Sequence, residues 1–364
     1  MTAPPGPVRV GLFAPSLDIV GGQSIAATRL FRRLGAVPGL QVEYVPLNPR
    51  APGILRPLQR IRYVRTAVTS LVYWMSLLRR VPGIDVLHVF SPSYWAFLLG
   101  PVPAMLAGRL FGKRVILNYH SGEADDHLAR FGWHVLPLLR LAHRVVVPSE
   151  YLVEVFARHG VTAEAIYNFV DTDAMPYRRR EPLRPAVLSN RNFEPHYNVG
   201  AVLEAFRLVR ERHPEATLVV AGDGSERTRL REQAAALGLG NVTFTGPVAP
   251  HDMPALYDAA DLYVNASLID NMPLSILEAY AAGTPVVTSD AGGIPVIAHD
   301  GRTALVTSGA APAALAAGIL RLLEEPALAA DLVRQGRELV LGRYSWAAVG
   351  GQWERLYREE AGRR

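Results

Sequence analysis

Short runs of β-branched and apolar residues alternate with longer segments of helical period along the whole chain. The runs are VRVGLFAP, DVLHVF, KRVILNYH and HRVVVPS in the first half, and PAVLSN, ATLVVAGDG, NVTFTG, DLYVNAS and TPVVTSD in the second. Apolar runs separated by helical segments are typical of stacked βαβ units around buried parallel sheets. The pattern therefore predicts an α/β protein with two Rossmann-like, doubly wound domains.

The segment DTDAMPYRRREPLRP interrupts this alternation between the two halves. Consecutive arginines flanked by prolines suit an exposed connection better than a core element. We predict a first domain over residues 1–177, a linker over 178–185 and a second domain over 186–342. Doubly wound sheets bind ligands beyond the carboxyl ends of their strands, so the two domains are expected to face each other across a cleft.

The last segment, YSWAAVGGQWERLYREE, has apolar residues at helical spacing. Trp346, Val349, Trp353, Leu356 and Tyr357 fall near one helical face, which needs a partner surface. We predict that a helix within residues 343–364 crosses back to the first domain.

Composition excludes several kinds of chemistry. The 364 residues include no cysteine, so disulfides, thiolate nucleophiles and thiolate metal sites are excluded. The net charge of +5 comes almost wholly from arginine, since Lys113 is the only lysine among 38 basic residues. The arginines form no stripe interleaved with aromatic residues, so nucleic acid is not an expected partner. The first residues do not resemble a secretory signal, and a cytoplasmic location is expected.

The segment ILRPLQRIRYVRTAVTSLVYWMSLLRRVPG has arginines on both sides of an uncharged run of 13 residues. That run is too short to span a bilayer, which takes about 20 apolar residues. A basic helix with exposed aromatic residues can instead lie on an anionic membrane and present a lipid-linked acceptor. The alternative is an ordinary helix packed on its sheet.

The segment SLIDNMPLSILEAYAAGTPVVTSDAGGIP combines a predicted helix start with two carboxylates. Pro273 suits the first helical position, and the free NH groups that follow it attract anions. Asp270 and Glu278 can accept hydrogen bonds from sugar hydroxyls. Together these features predict a site for a nucleotide sugar. The alternative makes Asp270 a helix cap and Glu278 a solvated residue.

This segment resembles the signature region of the retaining glycosyltransferases of family 4, group 1 type, which have the GT-B fold. The resemblance extends over GGQSIAATRL, NYHSGE, VVPSEYL, YNFVDTDAM, AGDGSER, NVTFTGPV and DLYVNAS. It implies transfer of a sugar from a nucleotide-sugar donor to a hydroxyl of a sugar or lipid-linked acceptor. The anomeric configuration is retained in such a transfer, and no metal or other cofactor is expected.

The resemblance also implies a donor site in the second domain. Asp270, one methylene shorter than the family's glutamate, would contact the donor sugar, and Glu278 would contact the nucleotide ribose. Arg191 would bind the diphosphate together with His196, which stands where the family has lysine. Histidine titrates near neutrality, so diphosphate binding is expected to depend on pH unless His196 is only an exposed loop residue. The backbone that holds sugar hydroxyls and phosphate corresponds to Asn271, Met272, Pro273 and Leu274.

Other positions follow from the same resemblance. Gly21 and Gly22, after the first strand, would let backbone NH groups approach a phosphate or the acceptor. His120 would lie beside the donor sugar and acceptor, and Val248 in the loop that reads the nucleotide base. The implied catalytic residues are His120, Arg191 and Asp270.

Three departures from the family pattern leave other functions open. Asp270, His196 and Val296 each replace the usual residue, so a noncatalytic nucleotide-sugar-binding protein is one alternative. A nucleotide-sugar epimerase or hydrolase on the same two domains is another. Asp171 and Asp173 form the Asp-x-Asp triplet that binds metal in a different glycosyltransferase fold, but here they are interpreted as turn and capping residues.

Overall fold

The computed structural model describes residues 6–16, 21–61 and 63–363. It divides into two compact units, one formed by Met1–Tyr167 with Gly350–Arg364 and the other by Asn168–Val349. Arg62, in the basic segment considered above, lies outside the described residues. Among the helices described, none is both long and apolar enough to cross a membrane.

The first unit is built on a parallel sheet of six strands in the order β2-β1-β3-β4-β5-β6. Its strands are β1 (Val8–Ala14), β2 (Leu40–Pro46), β3 (Val86–Ser91), β4 (Arg114–Tyr119), β5 (Arg144–Val147) and β6 (Glu164–Ala165). Its α-helices are α1 (Gly22–Leu34), α2 (Val64–Arg80), α3 (Tyr94–Leu99), α4 (Pro101–Leu110), α5 (Ala124–Leu139) and α6 (Glu150–Arg158), and its 3₁₀ helices are Gly53–Arg60 and Val81–Gly83.

The second unit repeats this architecture with the strand order β12-β11-β10-β7-β8-β9, again parallel. Its strands are β7 (Ala186–Ser189), β8 (Thr217–Ala221), β9 (Val242–Gly246), β10 (Leu262–Asn265), β11 (Val286–Ser289) and β12 (Leu305–Thr307). Its α-helices are α7 (Val199–Arg212), α8 (Arg227–Ala236), α9 (Met253–Ala259), α10 (Leu274–Ala282), α11 (Ile294–Ile297), α12 (Pro312–Glu324) and α13 (Pro326–Arg343), and its 3₁₀ helices are Thr172–Ala174 and Pro195–Tyr197. The last helix, α14 (Trp346–Gly362), begins in this unit, and its residues from Gly350 belong to the first.

The two faces of the first sheet have separate cores. Alternate residues of β3 and β4, such as Leu87 and Val115, join one core with the buried residues of α2 to α6. His88 points to the opposite face, where it meets the end of α14. The ring of Trp353 stacks on His88 at 4.7 Å, and the hydroxyl of Tyr357 lies 2.7 Å from His88 Nδ1. These contacts attach the C-terminal helix to the sheet.

The start of the second unit differs from the exposed linker that the sequence predicted over 178–185. Arg180 is buried, and its guanidinium donates to the carbonyl oxygens of Tyr257, Arg178, Ala260 and Ala282 at 2.6–2.8 Å. Tyr257, Ala260 and Ala282 lie at or near the carboxyl ends of α9 and α10, where backbone carbonyls lack helical partners and attract cations. Arg180 therefore attaches this segment to the second unit by hydrogen bonds and is not exposed to solvent.

Asp261 is the buried carboxylate that balances these arginines. Its Oδ1 accepts a 2.5 Å hydrogen bond from Arg178, and its Oδ2 accepts from the backbone NH and Nε of Arg184 at 2.7 and 2.9 Å. Burial alone would raise the pKa of this carboxyl, but the hydrogen bonds from Arg184 and Arg178 lower it to about 2. The ionised carboxylate therefore stabilises the fold at neutral pH.

We expect Asp261→Asn to lower the free energy of unfolding by about 2 kcal/mol at pH 7. The folded pKa lies below the unfolded value, so the wild-type advantage is complete above about pH 4 and declines as the pH falls toward 2. Urea unfolding of both proteins from pH 7 to pH 3 checks this. Asp258→Asn is the matched control, because Asp258 is half exposed. Equal stability of the Asp261→Asn and wild-type proteins at pH 7 would contradict the prediction.

Candidate functional site

The strand order of the second sheet places two loops side by side. From β7 the chain proceeds through β8 to β9 on one side, then returns to β10 on the other side of β7. The loops after β7 and β10 therefore separate at a topological switch point, where doubly wound sheets bind their ligands. Arg191 follows β7, and Asp270 follows β10. The structure brings these two predicted residues together.

Arg191 reaches across to the turn after β10. Its Nη2 donates to Asp270 Oδ2 in a short ion pair, and its Nη1 lies 3.3 Å from Ser275 Oγ. The ring of Tyr197 supports the guanidinium from one side, with its centroid 4.2 Å from the Arg191 Cζ atom. Both charged side chains are only 12% exposed. The arginine is thus held in a fixed orientation at the site.

The charge state and hydrogen bonding of Arg191 are unusual for a buried cation. Burial would lower the pKa of its guanidinium, but the Asp270 carboxylate outweighs burial and raises it. The Nε–H group is buried and has no hydrogen-bond partner among the residues that the structure describes. An unpaired buried donor on a cation costs stability unless a ligand accepts its hydrogen bond. The site therefore has an unused donor for an anionic group.

The turn from Asp270 to Leu274 leads into α10. Asp270 Oδ1 accepts a 2.9 Å hydrogen bond from the backbone NH of Asn271, and Asn271, Met272 and Leu274 are buried. Pro273 caps the helix with φ −65°, one position before the helical residue that the sequence predicted it to be. The backbone NH of Ile276 donates to the Pro273 carbonyl at 3.1 Å, so the NH groups of Leu274 and Ser275 are the ones at the helix start that have no acceptor within the helix. Asp270 therefore belongs to the turn that presents a positive helix end.

Two glycines after β11 let that turn pack closely. A Cβ atom on Gly292 would lie 2.1 Å from the carbonyl oxygen of Asp270, and one on Gly293 would lie 2.0 Å from that of Asn271. The Gly293 backbone NH instead donates to the Asp270 carbonyl at 3.0 Å. The GG pair therefore holds the Asp270 turn in place, a role that the sequence alone did not assign to it.

Glu278 is buried, which overturns the alternative that it is a solvated surface residue. The Tyr257 hydroxyl lies 2.9 Å from Glu278 Oε2 and 3.0 Å from the Ser275 carbonyl oxygen, and it accepts a 2.8 Å hydrogen bond from the Asn190 amide. Burial and the Glu278 carboxylate raise the pKa of Tyr257, so the tyrosine stays protonated. Glu278 is therefore held one turn behind the start of α10, below the loop that carries Arg191.

His196 and Val248 lie in separate loops. The carbonyl oxygen of His196 accepts a 2.8 Å hydrogen bond from the backbone NH of Leu268, so its 3₁₀ helix is fixed beside the segment leading to Asp270. Its ring packs on that of Tyr197 at 4.1 Å. Val248 follows β9, two strands from β7 in the sheet, and is half-buried. The strand order separates Val248 from Arg191 within the unit.

The remaining predicted residues belong to the first unit. Gly21 is the N-cap of α1 and Gly22 its first residue, so the pair opens the helix instead of lying in the loop before it. A Cβ atom on either would meet nothing within 4 Å. His120 follows β4, and its ring packs on Phe90 at 4.8 Å. Burial lowers the pKa of His120 to about 3, so its imidazole is neutral at physiological pH.

Sequence reasoning missed the residues that support the Arg191 loop. Tyr197 and Ser275 contact Arg191 directly, and Tyr257 links Asn190 to Glu278. The segment AGDGSER also holds this loop, because Phe193 donates its backbone NH to the Asp223 carbonyl at 3.0 Å and the Ser225 hydroxyl donates to Glu194 at 2.6 Å. In the sequence, these residues stand out only because they lie near the ends of strands. Recognising that those strand ends meet requires the strand order of the sheet.

Asp171 and Asp173 lie at the short 3₁₀ helix Thr172–Ala174. The backbone NH of Ala174 donates to the Asp171 carbonyl at 3.1 Å. Across the described part of the chain, no group of three or more histidine, aspartate or glutamate side chains is arranged to hold a metal ion.

The fold and this site define an α/β protein with an arginine and a helix start at a strand switch point, an arrangement at which doubly wound sheets bind anionic ligands. Residues 20–174 match the family model for "Glycosyltransferase Family 4", and residues 178–339 match that for "Glycosyl transferases group 1". The two matches together cover most of both units. The chain belongs to the group 1, family 4 glycosyltransferases, and it is a glycosyltransferase.

Curated relatives from mycobacteria agree with this assignment. The chain is 29% identical, over 71% of its length and 72% of the relative's, to a "GDP-mannose-dependent alpha-(1-6)-phosphatidylinositol monomannoside mannosyltransferase" of Mycolicibacterium smegmatis. It is 27% identical, over 96% of both chains, to a "Phosphatidyl-myo-inositol mannosyltransferase" of Mycobacterium leprae. It is also 29% identical to a glycogen synthase of Mycobacterium tuberculosis, over 70% of its own length and 65% of the synthase.

Solved structures share the fold. Anabaena HepE, crystallised with UDP and glucose, superposes with a TM-score of 0.77 at 18% identity, covering 97% of this chain and 100% of HepE. The sucrose-phosphate synthase of Thermosynechococcus elongatus gives a TM-score of 0.77 at 21% identity, covering 97% of this chain and 98% of the synthase. The expected α/β, GT-B fold class is thereby confirmed.

Proposed function

We propose that this glycosyltransferase takes a hexose from a nucleotide-sugar donor and transfers it to a hydroxyl of a sugar or lipid-linked acceptor. In this proposal the anomeric configuration is retained and no metal ion takes part. The observation that carries it is the Arg191 guanidinium at the start of α10, with a buried Nε–H that has no partner. A diphosphate placed there would accept from both the guanidinium and the helix NH groups.

In this proposal, three groups of the site contact different parts of the donor. Arg191 and the amino end of α10 bind the diphosphate and offset the charge that develops on it as the glycosidic bond breaks. Asp270, whose carboxylate already faces Arg191, accepts from hydroxyls of the transferred sugar. Glu278, buried further along α10, accepts from the ribose hydroxyls. The bond between the anomeric carbon and the diphosphate oxygen breaks, and the nucleoside diphosphate leaves with its electron pair. The acceptor oxygen forms the new bond to the anomeric carbon on the same face, and its proton passes to the leaving diphosphate oxygen.

The unit that carries His120 and Gly22 supplies the acceptor side in this proposal. A neutral His120 ring accepts or donates a single hydrogen bond without adding charge near the reacting carbon. Gly22 leaves open space at the start of α1, where backbone NH groups face outward. Two curated relatives named for phosphatidylinositol-based acceptors support a lipid-linked acceptor. The proposal places the protein in the cytoplasm, at the inner face of a membrane.

A direct assay tests the proposal against its alternatives. The folded protein is incubated with a panel of UDP-, GDP- and ADP-sugars, with and without membrane lipid extract, in the presence of a chelator. Sugar transfer that requires the extract and survives chelation is the expected result. Release of free sugar without acceptor would favour a hydrolase, interconversion of donors an epimerase, and tight donor binding without turnover a noncatalytic binding protein.

We expect His196→Lys to flatten the pH dependence of donor affinity between about pH 5.5 and 7.5. A lysine ammonium stays charged throughout that range, so a phosphate contact made by this position would no longer depend on pH. Titration calorimetry with a nucleotide sugar, whose bridging diphosphate keeps its charge in this range, measures the effect at three pH values. His251→Lys is the matched control, because His251 is an exposed loop histidine of the same unit. An unchanged pH profile in His196→Lys would show that His196 does not face phosphate.

A further inference from the structure

Exposed apolar side chains are distributed unevenly over the described residues. Thirteen of the seventeen large exposed apolar side chains lie between Leu58 and Trp133, in the first unit. They include Trp133 (81% exposed), Trp95 (77%) and Leu110 (72%). The full set is Leu58, Ile61, Tyr63, Val64, Leu71, Trp74, Leu78, Trp95, Leu99, Leu106, Leu110, Phe131 and Trp133, hereafter the α2–α5 surface. A concentration of this kind marks an interaction site.

These side chains lie on one side of the first unit. The helices α2 to α5 share the core on a single face of the sheet, so their exposed residues all point away from that face. The helices contact one another in sequence: α2 contacts α4, α4 contacts α3, and Tyr94 of α3 meets Phe131 of α5 at 6.0 Å. By contrast, α1 and the part of α14 in this unit have none of the large exposed apolar residues among their described residues.

The charge of the same region is strongly positive. Between Glu43 and Glu123 the sequence has ten basic residues and one acidic residue, Asp85, which is buried and paired with Arg9. The arginines at positions 56, 60, 65 and 79 are exposed. None of the four has a carboxylate within ion-pair distance in the part of the chain that the structure describes. An apolar surface rimmed by unpaired arginines complements an anionic bilayer in both chemistry and charge.

We propose that the α2–α5 surface docks on an anionic lipid bilayer. The sequence indicated such a contact for one helix, and the structure extends it to four helices and to Trp95 and Trp133. Tryptophan and tyrosine rings favour the headgroup region, where leucines reach the acyl chains and arginines meet the phosphates. Docking would bring a lipid-borne acceptor to the glycosyltransferase, but the binding itself requires neither donor nor transfer.

Vesicle sedimentation of the full chain, without donor or acceptor, tests the proposal. We expect the protein to pellet with phosphatidylcholine vesicles containing phosphatidylglycerol at low salt, and to remain largely in solution with pure phosphatidylcholine. Arg60→Gln with Arg65→Gln should weaken binding roughly 25-fold, at about fivefold for each arginine. Leu110→Gln should weaken it about tenfold, because part of a leucine side chain is no longer buried in lipid.

Matched controls distinguish this surface from general basicity. Arg32→Gln with Arg355→Gln removes two exposed arginines from the helices on the opposite face of the same sheet, and Leu341→Gln removes an exposed leucine from the second unit. Neither control should change vesicle binding more than twofold. The proposal is overturned if pure phosphatidylcholine vesicles bind equally at low salt, or if the controls lose as much binding as the surface variants.

Light scattering supplies the remaining comparison. If the wild type is a dimer and Leu110→Gln a monomer, the α2–α5 surface is an interface between copies of this chain, and membrane docking is rejected. If both have the same mass, the vesicle result stands. Because no sugar nucleotide is present, a failed transfer assay leaves this result intact, and a failed vesicle assay leaves the proposed reaction intact.

Discussion

Arg191→Ala is expected to lower turnover roughly 10²- to 10³-fold, the loss seen when one group that stabilises developing charge is removed. The guanidinium is positioned by Asp270, Ser275 and the Tyr197 ring, and an alanine makes none of these contacts. Affinity for the plain nucleoside diphosphate should also fall by about 1.5–3 kcal/mol, the range for a hydrogen bond to a charged group. Steady-state kinetics and calorimetry on the folded variant measure the two effects.

Two further variants sharpen this comparison. Arg191→Lys keeps the charge but loses the planar fork, and should recover only part of the lost activity. Arg207→Ala removes a half-exposed arginine paired with Glu211 on α7, and should leave donor binding unchanged. Unaltered nucleoside diphosphate affinity in folded Arg191→Ala would show that Arg191 does not bind the donor phosphates.

The ion pair between Arg191 and Asp270 has an energetic consequence for donor binding. Both side chains are nearly buried, so removing either one leaves the other as an uncompensated charge. The effects of Arg191→Ala and Asp270→Asn on stability should therefore not add, and the double variant should be more stable than the sum predicts. In the proposed donor complex, the diphosphate would compete with Asp270 for the guanidinium, which would free the carboxylate to accept from sugar hydroxyls.

The sequence predicted nine of the twelve strands that the structure describes, because their signal is local, and it missed β2, β6 and β12. Runs such as VRVGLFA and RVILNY form strands of a parallel sheet that is covered on both faces. Their mostly apolar residues therefore predict a buried strand and not a turn. The linker over 178–185 stays a prediction, but the exposure expected of its arginines is wrong for Arg180. Arginine usually indicates exposure, but Arg180 is buried and donates to backbone carbonyls of residues about 80 and 100 positions away. Composition cannot reveal contacts over such distances in the sequence.

The site was predicted less completely than the fold. Asp270 was indicated first by the helix start that follows it, and Arg191 by the resemblance, but their direct pairing depends on β7 and β10 being neighbours in the sheet. Tyr257 contacts Glu278 across helices α9 and α10, and Gly293 packs on the Asp270 turn from β11. These contacts join residues that are distant in sequence, and no pattern of hydrophobic spacing reveals them.

The two carboxylates of the site should fail in different ways when each is neutralised. Glu278→Gln keeps the shape but weakens the hydrogen bonds that a charged oxygen accepts, so it should lower affinity for nucleoside diphosphate and nucleotide sugar alike, by about 1.5–3 kcal/mol. Glu278 is buried and hydrogen-bonded to Tyr257, so the substitution can also lower the stability of the protein. Thermal unfolding of the variant checks this. If Glu278→Gln does not fold, the carboxylate is structural, and Tyr257→Phe then reports whether the same helix region affects ribose binding.

Asp270→Asn should weaken the nucleotide sugar but not the plain nucleoside diphosphate. In the proposed site the Asp270 carboxylate accepts from the transferred sugar, and Arg191, which binds the diphosphate, is still held by Ser275 and the Tyr197 ring. Turnover should fall further than binding, roughly 10²-fold or more, if the contact strengthens in the transition state. Asp270→Glu restores the residue usual in the family, and its longer side chain should shift donor preference, because the carboxylate would reach one methylene deeper. Calorimetry of each folded variant with nucleoside diphosphate and with nucleotide sugar, in the presence of a chelator, measures these differences in affinity. Equal losses on both ligands for Glu278→Gln and Asp270→Asn would refute the division of roles, because two groups with different targets cannot produce the same pattern.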